Sequence, residues 1–161
     1  MDRIEVLDSK LRQLNTYELM MNKIVKGICI VAMMFFVFFS VSMPKNQVLF
    51  WISLGLMLKA LSDMSLTPYL YIYKDKKKIS IFRCLKETGI SRKDFIKSRV
   101  KYHFSFIGKI SVVAVIVCLT GGIVMEELTI KSAITSLGVI VLCVTLVSVY
   151  TVMYIYYMTK D

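Results

Sequence analysis

The sequence KETGISRKDFIKSRVKY, residues 86–102, lies between two long apolar blocks of this 161-residue chain. The block before it covers residues 47–73, and the block after it covers residues 103–125. Each block is at least as long as the about 20 residues that an α-helix needs to cross a bilayer. The charged stretch is therefore predicted to belong to a loop that joins two membrane-spanning helices.

Two further apolar blocks, residues 24–43 and 132–158, bring the number of predicted spans to four. The whole chain is 57% hydrophobic and has a mean hydropathy of +0.65. Soluble domains contain about 45–50% apolar residues, in shorter periodic segments. Because lipid offers the backbone no hydrogen-bond partners, the spans must be helical. We therefore predict an all-α polytopic membrane bundle of four transmembrane helices that forms one domain, residues 1–161.

Basic residues determine the predicted orientation of the spans. Eleven Lys or Arg lie in the loop 74–102 and four lie in residues 1–23, whereas the segment 44–46 holds only Lys45. Because basic loops stay on the cytoplasmic side, this cell-membrane protein is predicted to have both termini and loop 74–102 in the cytoplasm. Topology and attraction to the anionic lipid bilayer then account for the net charge of +10, with no nucleic acid as a partner.

The residues before the first span have the pattern of an amphipathic helix. Within residues 1–23, apolar side chains such as Ile4, Leu7, Leu11 and Leu14 recur at intervals of three or four. Such a helix is predicted to lie on the inner leaflet and to enter the first span through a bend. The pattern fits both a simple anchor of the N-terminus and an elbow helix with a function of its own.

The second predicted span carries two opposite charges, Lys59 and Asp63. Since they are four residues apart, they share one helical face and are predicted to form an ion pair. Each charge alone costs about 2.5–3.5 kcal/mol at the bilayer centre. The pair is therefore expected to face a partner helix or a wet cavity, where it either lines a substrate path or fixes the packing of helices.

The charged loop is predicted to fold as a helix–turn–helix. Apolar residues at helical spacing indicate a short helix over residues 80–88, and Gly89 is its expected left-handed stop. Ser91 and Asp94 match the capping pattern, so a second helix is predicted to begin at Arg92 and to continue into the third span. A rigid turn joined to a membrane helix favours docking of a cytoplasmic partner, although topology alone explains the charge.

The segment LKETGISRKDFIKSRVKYHF, residues 85–104, resembles the cytoplasmic loop of ABC-2-type permeases, the membrane subunits of bacterial ABC exporters. The order of an amphipathic helix, two spans, this loop and further spans is also similar. The chain departs from the family at Thr88–Gly89, where the family has Leu-Pro, and in having four spans instead of six. The matching positions are Ile90, Ser91, Arg92, Lys93, Asp94, Phe95, Ile96, and Lys101–Tyr102 or Lys97.

In that family the loop is a coupling helix, which docks into a groove of a cytoplasmic ATPase subunit and transmits ATP-driven closure to the spans. The resemblance implies that this chain is a permease subunit that works as a homo- or hetero-oligomer with other permease chains. Peptides or amphiphiles are possible substrates. The implied ATPase-docking residues are Leu85, Lys86, Gly89, Ile90, Ser91, Arg92, Lys93 and Asp94.

The sequence contains no pattern that predicts a catalytic, cofactor-binding or metal-binding site. It has no phosphate-binding Gly-Lys-Ser/Thr loop, so ATP hydrolysis is expected on a separate chain. A second interpretation is a non-transporting membrane interaction protein, such as a bacteriocin immunity or regulatory protein. A neighbouring gene for an ATPase would favour the exporter, and a neighbouring bacteriocin precursor without an ATPase would favour the second interpretation.

Overall fold

The computed structural model describes residues 3–39, 47–74, 77–82, 85, 88–126 and 128–158 of the chain. Within this part, residues 82, 85 and 88 are helical outside the longer elements. Those elements are, in chain order, α1 Arg3–Leu14, α2 Thr16–Phe38, α3 Gln47–Leu70, β1 Tyr71–Lys74, β2 Lys77–Ser80, α4 Arg92–Val124 and α5 Ile130–Met158.

Three helices of the described chain, α2, α4 and α5, are long and apolar enough to cross a membrane. They correspond to the first, third and fourth predicted spans; α2 begins earlier than its predicted span, and α4 begins at Arg92, where its helix is predicted to start. Helix α3 has 24 residues, the length of a span, but Lys59 and Asp63 interrupt the apolar run in its described part. The described part of the chain is therefore a helical bundle with three helices able to span a membrane, and the fourth span stays a prediction.

The four long helices pack around an apolar core in the middle of the bundle. At Gly121 of α4, helix α2 comes so close that an added Cβ would lie 2.2 Å from the carbonyl oxygen of Phe38. A side chain larger than hydrogen at this position would therefore push the two helices apart. The buried side chains of this membrane core are Met33, Val37, Leu54, Leu58, Leu61, Ile107, Ile110, Ala114, Cys118, Ile140, Cys143 and Val147.

A second core lies where α1, the two strands and the first turns of α4 meet the last turns of α3 and α5. We call this part of the molecule the basic end, because the Lys- and Arg-rich loop lies there. Its apolar side chains come from both ends of the chain, since Leu11 and Ile155 are among them. The buried side chains of this basic-end core are Leu11, Leu66, Leu70, Tyr71, Ile81, Leu85, Phe95, Ile96 and Ile155.

The prediction of an all-α fold was wrong at Tyr71–Lys74 and Lys77–Ser80, which form two antiparallel strands. Tyr71 pairs with Ser80 and Ile72 with Ile79, and the Ile81 amide donates to the Leu70 carbonyl at 3.0 Å. The sequence YLYIY looked like the end of a span, but aromatic and β-branched residues also favour strands. Ser80, the predicted first residue of the short helix, is the last residue of β2.

The bend after the N-terminal helix lies at Asn15, and the prediction of one amphipathic helix over residues 1–23 was wrong. The Asn15 side-chain amide donates to the carbonyl oxygens of Pro68 and Tyr71, both at 2.9 Å. The last carbonyl groups of a helix have no hydrogen-bond donor within it. The buried Asn15 amide therefore supplies the donor for the Pro68 carbonyl near the end of α3. Helix α2 then starts directly at Thr16.

Candidate functional site: a capped turn at the basic end

The turn before α4 has the two local features that the sequence predicts. Gly89 adopts a φ of +64°, in the left-handed region that favours glycine. The Ser91 hydroxyl oxygen accepts from the Asp94 amide at 3.1 Å, and the same hydroxyl donates to the Asp94 carboxylate at 2.6 Å. The predicted N-cap of α4 is therefore confirmed, and it fixes the backbone of the turn relative to the helix.

The predicted docking residues do not share one environment. Gly89, Ser91, Arg92, Lys93 and Asp94 are exposed, and Ile90 is half-buried against the basic-end core. Leu85 is buried in that core with 5% of its surface exposed, so it holds the turn in place and offers no surface to a partner. Lys86 lies outside the described residues. The surface that remains, residues 89–94, is called the capped turn below.

The capped turn is joined rigidly to the membrane part of the molecule. Helix α4 runs without interruption from Arg92 to Val124, over 33 residues. At a rise of 1.5 Å per residue, its axis is about 50 Å long. Since a bilayer core is about 30 Å thick, α4 has the length to cross it and to extend beyond it into the capped turn.

Helix α1 packs against the capped turn and α4, whereas the sequence placed this amphipathic helix on the inner leaflet. Arg3 Nη1 donates to the Gly89 carbonyl oxygen at 3.2 Å. Leu11 is buried with 1% of its surface exposed and Leu7 packs against the same cluster, so part of the apolar face of α1 covers the basic-end core. Helix α1 thus holds the capped turn from one side.

A buried ion pair joins α1 to α4, and sequence reasoning missed it. The guanidinium of Arg99 makes two hydrogen bonds to the Asp8 carboxylate, and Arg99 has only 1% of its side chain exposed. The guanidinium carbon also lies 4.5 Å from the centre of the Phe95 ring. The sequence spacing could have indicated that Arg99 is buried. Arg99 lies on one helical stripe with Phe95, Ile96 and His103, and all four residues are buried.

A layer of buried polar side chains separates the membrane core from the basic-end core. His103 Nδ1 lies 3.0 Å from Ser62 Oγ, and His103 Nε2 lies 3.3 Å from Ser148 Oγ. Ser62 Oγ is also 3.1 Å from Thr151 Oγ1. These side chains join α3, α4 and α5 through hydrogen bonds in the interior of the bundle.

The predicted ion pair of α3 is present, but it lies on the outside of the bundle. Lys59 Nζ is 2.5 Å from Asp63 Oδ2, and their side chains are 37% and 42% exposed. The ammonium group also lies 4.6 Å from the centre of the Tyr150 ring on α5. Beside it, an apolar groove of about 570 Å³ runs between α3 and α5. The pair therefore faces the surroundings of the bundle and not its interior.

The polar side chains of the basic end hold helices together and present a charged surface. No family model, curated protein or solved structure matches this chain. Its function must therefore be inferred from its own geometry and charge. An exposed, capped turn at the end of a long continuous helix is a geometry that suits mechanical coupling to another protein.

Proposed function

We propose that this chain is a membrane subunit of an ATP-driven exporter, and that a separate ATPase docks on its capped turn. In this proposal α3 is a fourth span, and the basic end with both termini lies in the cytoplasm. The excess of Lys and Arg at the basic end supports this orientation. The resemblance of residues 85–104 to the coupling loop of ABC-2-type permeases supports the docking role.

The observation that carries the proposal is the rigid link between the capped turn and α4. The Ser91 cap and the Arg3 contact with Gly89 fix the turn, and α4 continues from it to Val124. A partner that moves the turn by a few Å would therefore move the whole helix, because a helix transmits displacement along its axis. A loop without a cap would absorb the same displacement locally.

The exporter needs more than one chain around its substrate path. Side chains fill the middle of the single bundle, and the Lys59–Asp63 pair points outward beside the groove between α3 and α5. In an oligomer, outward surfaces of this kind face a neighbouring permease chain. The path for peptides or amphiphiles would then lie between chains, with the ion pair at its side.

Co-purification with candidate ATPases tests this proposal. The tagged chain is expressed with ATPases encoded beside its gene, extracted in detergent and captured. Wild-type chain is expected to retain one of these ATPases. Arg92→Glu combined with Lys93→Glu reverses two exposed charges of the capped turn, and is expected to weaken the complex by more than about tenfold, because like charges at an interface cost several kcal/mol.

The matched control combines Lys10→Glu with Lys101→Glu, which makes the same change in charge at exposed positions outside the capped turn. This control is expected to retain the ATPase and to show the same helix content as wild type. Equal capture of the ATPase by both double variants would refute docking at the capped turn. Failure of wild type to retain any of the ATPases would refute the exporter itself.

One observation favours a second function, that of a non-transporting membrane interaction protein. Buried side chains fill the middle of the bundle over the residues that the structure describes, so a lone chain offers its outer surfaces to a partner. A bacteriocin immunity or regulatory protein would use the same exposed surfaces without moving a substrate. A monomer that protects cells from a bacteriocin encoded beside it, in the absence of any ATPase, would favour this function over the exporter.

A further inference from the structure

A second groove at the basic end lies between the first turns of α4 and the last turns of α5. Its volume is about 530 Å³. Ile96 and Val100 of α4 and Val152 of α5 form its apolar floor. Three basic side chains, Arg92, Lys93 and Lys97, and the aromatic Tyr156 complete its lining. The groove thus combines an apolar surface with a rim of positive charge.

The charge of this groove differs from that of the groove on the α1 side of the same helix. The α1-side groove is lined by three basic residues, Arg3, Lys97 and Lys101, and by three acids, Glu5, Asp8 and Asp94, so its charges balance. Among the described residues that line the α5-side groove there are three basic side chains and no acid. The α5-side groove is therefore complementary to an anion, and the other groove is not.

Exposed tyrosines lie at the end of α5 beside the α5-side groove. Tyr156 and Tyr157 at the end of α5 are 57% and 74% exposed. Exposed tyrosines at the ends of spans mark the level of the headgroups. One turn further toward the membrane core, the exposed side chains Phe104 and Val149 continue the apolar surface of the groove along α4 and α5. A chain of methylene groups leaving the groove would meet apolar surface throughout.

We propose that the α5-side groove binds one anionic glycerophospholipid. Its phosphate lies against Lys97, the basic side chain of the groove outside the capped turn, Arg92 and Lys93 add positive potential at the rim, and an acyl chain runs over Val100 and Val152 toward the membrane core. Basic pockets between membrane helices suit anionic headgroups, since each Lys or Arg near such a headgroup contributes to attraction. The apolar floor selects a lipid over a free phosphate, because a soluble anion would leave that floor uncovered.

Native mass spectrometry of the full chain in neutral detergent tests this site. Wild type is expected to bind one palmitoyl-oleoyl phosphatidylglycerol at concentrations where the matching phosphatidylcholine does not bind. Lys97→Gln is expected to weaken this binding about fivefold. Val152→Trp fills the floor without changing any charge, and is expected to abolish it. Neither substitution lies in the capped turn, so the outcome does not depend on the docking of an ATPase.

Two controls match these variants. Lys101→Gln removes an exposed charge from the same helix outside this groove, and Val141→Trp enlarges an exposed residue elsewhere on α5. Both are expected to bind phosphatidylglycerol like wild type. Circular dichroism checks that Val152→Trp is folded, and the conservative Lys97→Gln tests the site even where the larger substitution disturbs it.

Three results would overturn the proposal. The first is equal binding of phosphatidylcholine and phosphatidylglycerol to wild type, and the second is a loss with Lys101→Gln as large as with Lys97→Gln. The third is displacement of the lipid by glycerol 1-phosphate at equal concentration, which would identify a site for soluble phosphates. Selective binding of the anionic lipid that only the groove variants weaken would establish the site.

Discussion

Removing the buried partner of Arg99 should loosen the basic end strongly. Asp8→Ala leaves the guanidinium of Arg99, 1% exposed, without its carboxylate. Breaking a buried ion pair in this way costs about 3–5 kcal/mol. The Asp8 side chain is 24% exposed, and Arg99 keeps its contact with the Phe95 ring. Both effects reduce the cost, so we expect a loss of about 2–3 kcal/mol in the free energy of unfolding.

The loss is measured as a lower unfolding temperature, followed by circular dichroism of the purified chain in detergent. For a chain of this size, 1 kcal/mol corresponds to about 2–4 °C, so a decrease of about 4–12 °C is expected. Lys10→Ala, which removes an exposed charge from the same helix, is the control and should change the unfolding temperature little. Limited proteolysis should cut the Asp8→Ala variant faster within α1.

A double-mutant cycle distinguishes loss of the pair from general damage to α1. Arg99→Met alone leaves Asp8 without its partner, whereas Asp8→Ala with Arg99→Met leaves no charge uncompensated. The double variant should therefore be more stable than the sum of the two single losses predicts, by about 1–3 kcal/mol. Additive losses, with a coupling below about 0.5 kcal/mol, would refute the view that this pair holds α1 to α4.

Three further substitutions test the packing around this site. Gly121→Ala should lower the free energy of unfolding by about 1–3 kcal/mol, because the new Cβ meets the carbonyl oxygen of Phe38. Gly108→Ala is the control and should leave the free energy of unfolding unchanged, because the space at its Cβ is open. Equal stability of the two variants would contradict the close approach of α2 and α4. Asn15→Ala should lower the free energy of unfolding by about 2 kcal/mol, measured by thermal unfolding, since two hydrogen bonds to carbonyl groups are lost. An unchanged unfolding temperature would mean that other donors replace the amide. Ser91→Ala should cost about 0.5–2 kcal/mol and speed hydrogen exchange of amides in the first turn of α4, and unchanged exchange would show that the cap does not fix the turn.

Local chemistry allowed part of the structure to be predicted from the sequence. The Gly89 stop, the Ser91 cap and the Lys59–Asp63 pair each depend on residues within a few positions of one another, and each is present. Apolar blocks likewise located α2, α4 and α5, because length and hydropathy alone decide whether a helix can cross a bilayer.

The features that sequence reasoning missed depend on contacts between distant segments. Residues 71–73 read as the end of a span but belong to strand β1, and the Asn15 side chain donates to acceptors more than fifty positions away. In the sequence, the ion pair of Arg99 cannot be predicted, because its partner Asp8 is ninety-one positions away. The burial of Leu85 also depends on the helices that surround it, so it cannot be predicted from the neighbouring sequence alone.

The basic-end core unites residues from the start and the finish of the chain. Leu11 and Ile155 lie in the same buried cluster, together with Phe95 from the start of α4. A ribosome makes Leu11 more than one hundred and forty residues before Ile155, so this cluster cannot be complete until α5 has been synthesised. Helix α1 is therefore made long before the cluster can close, and a nascent chain that stops before α5 would lack Ile155, the last side chain that closes it.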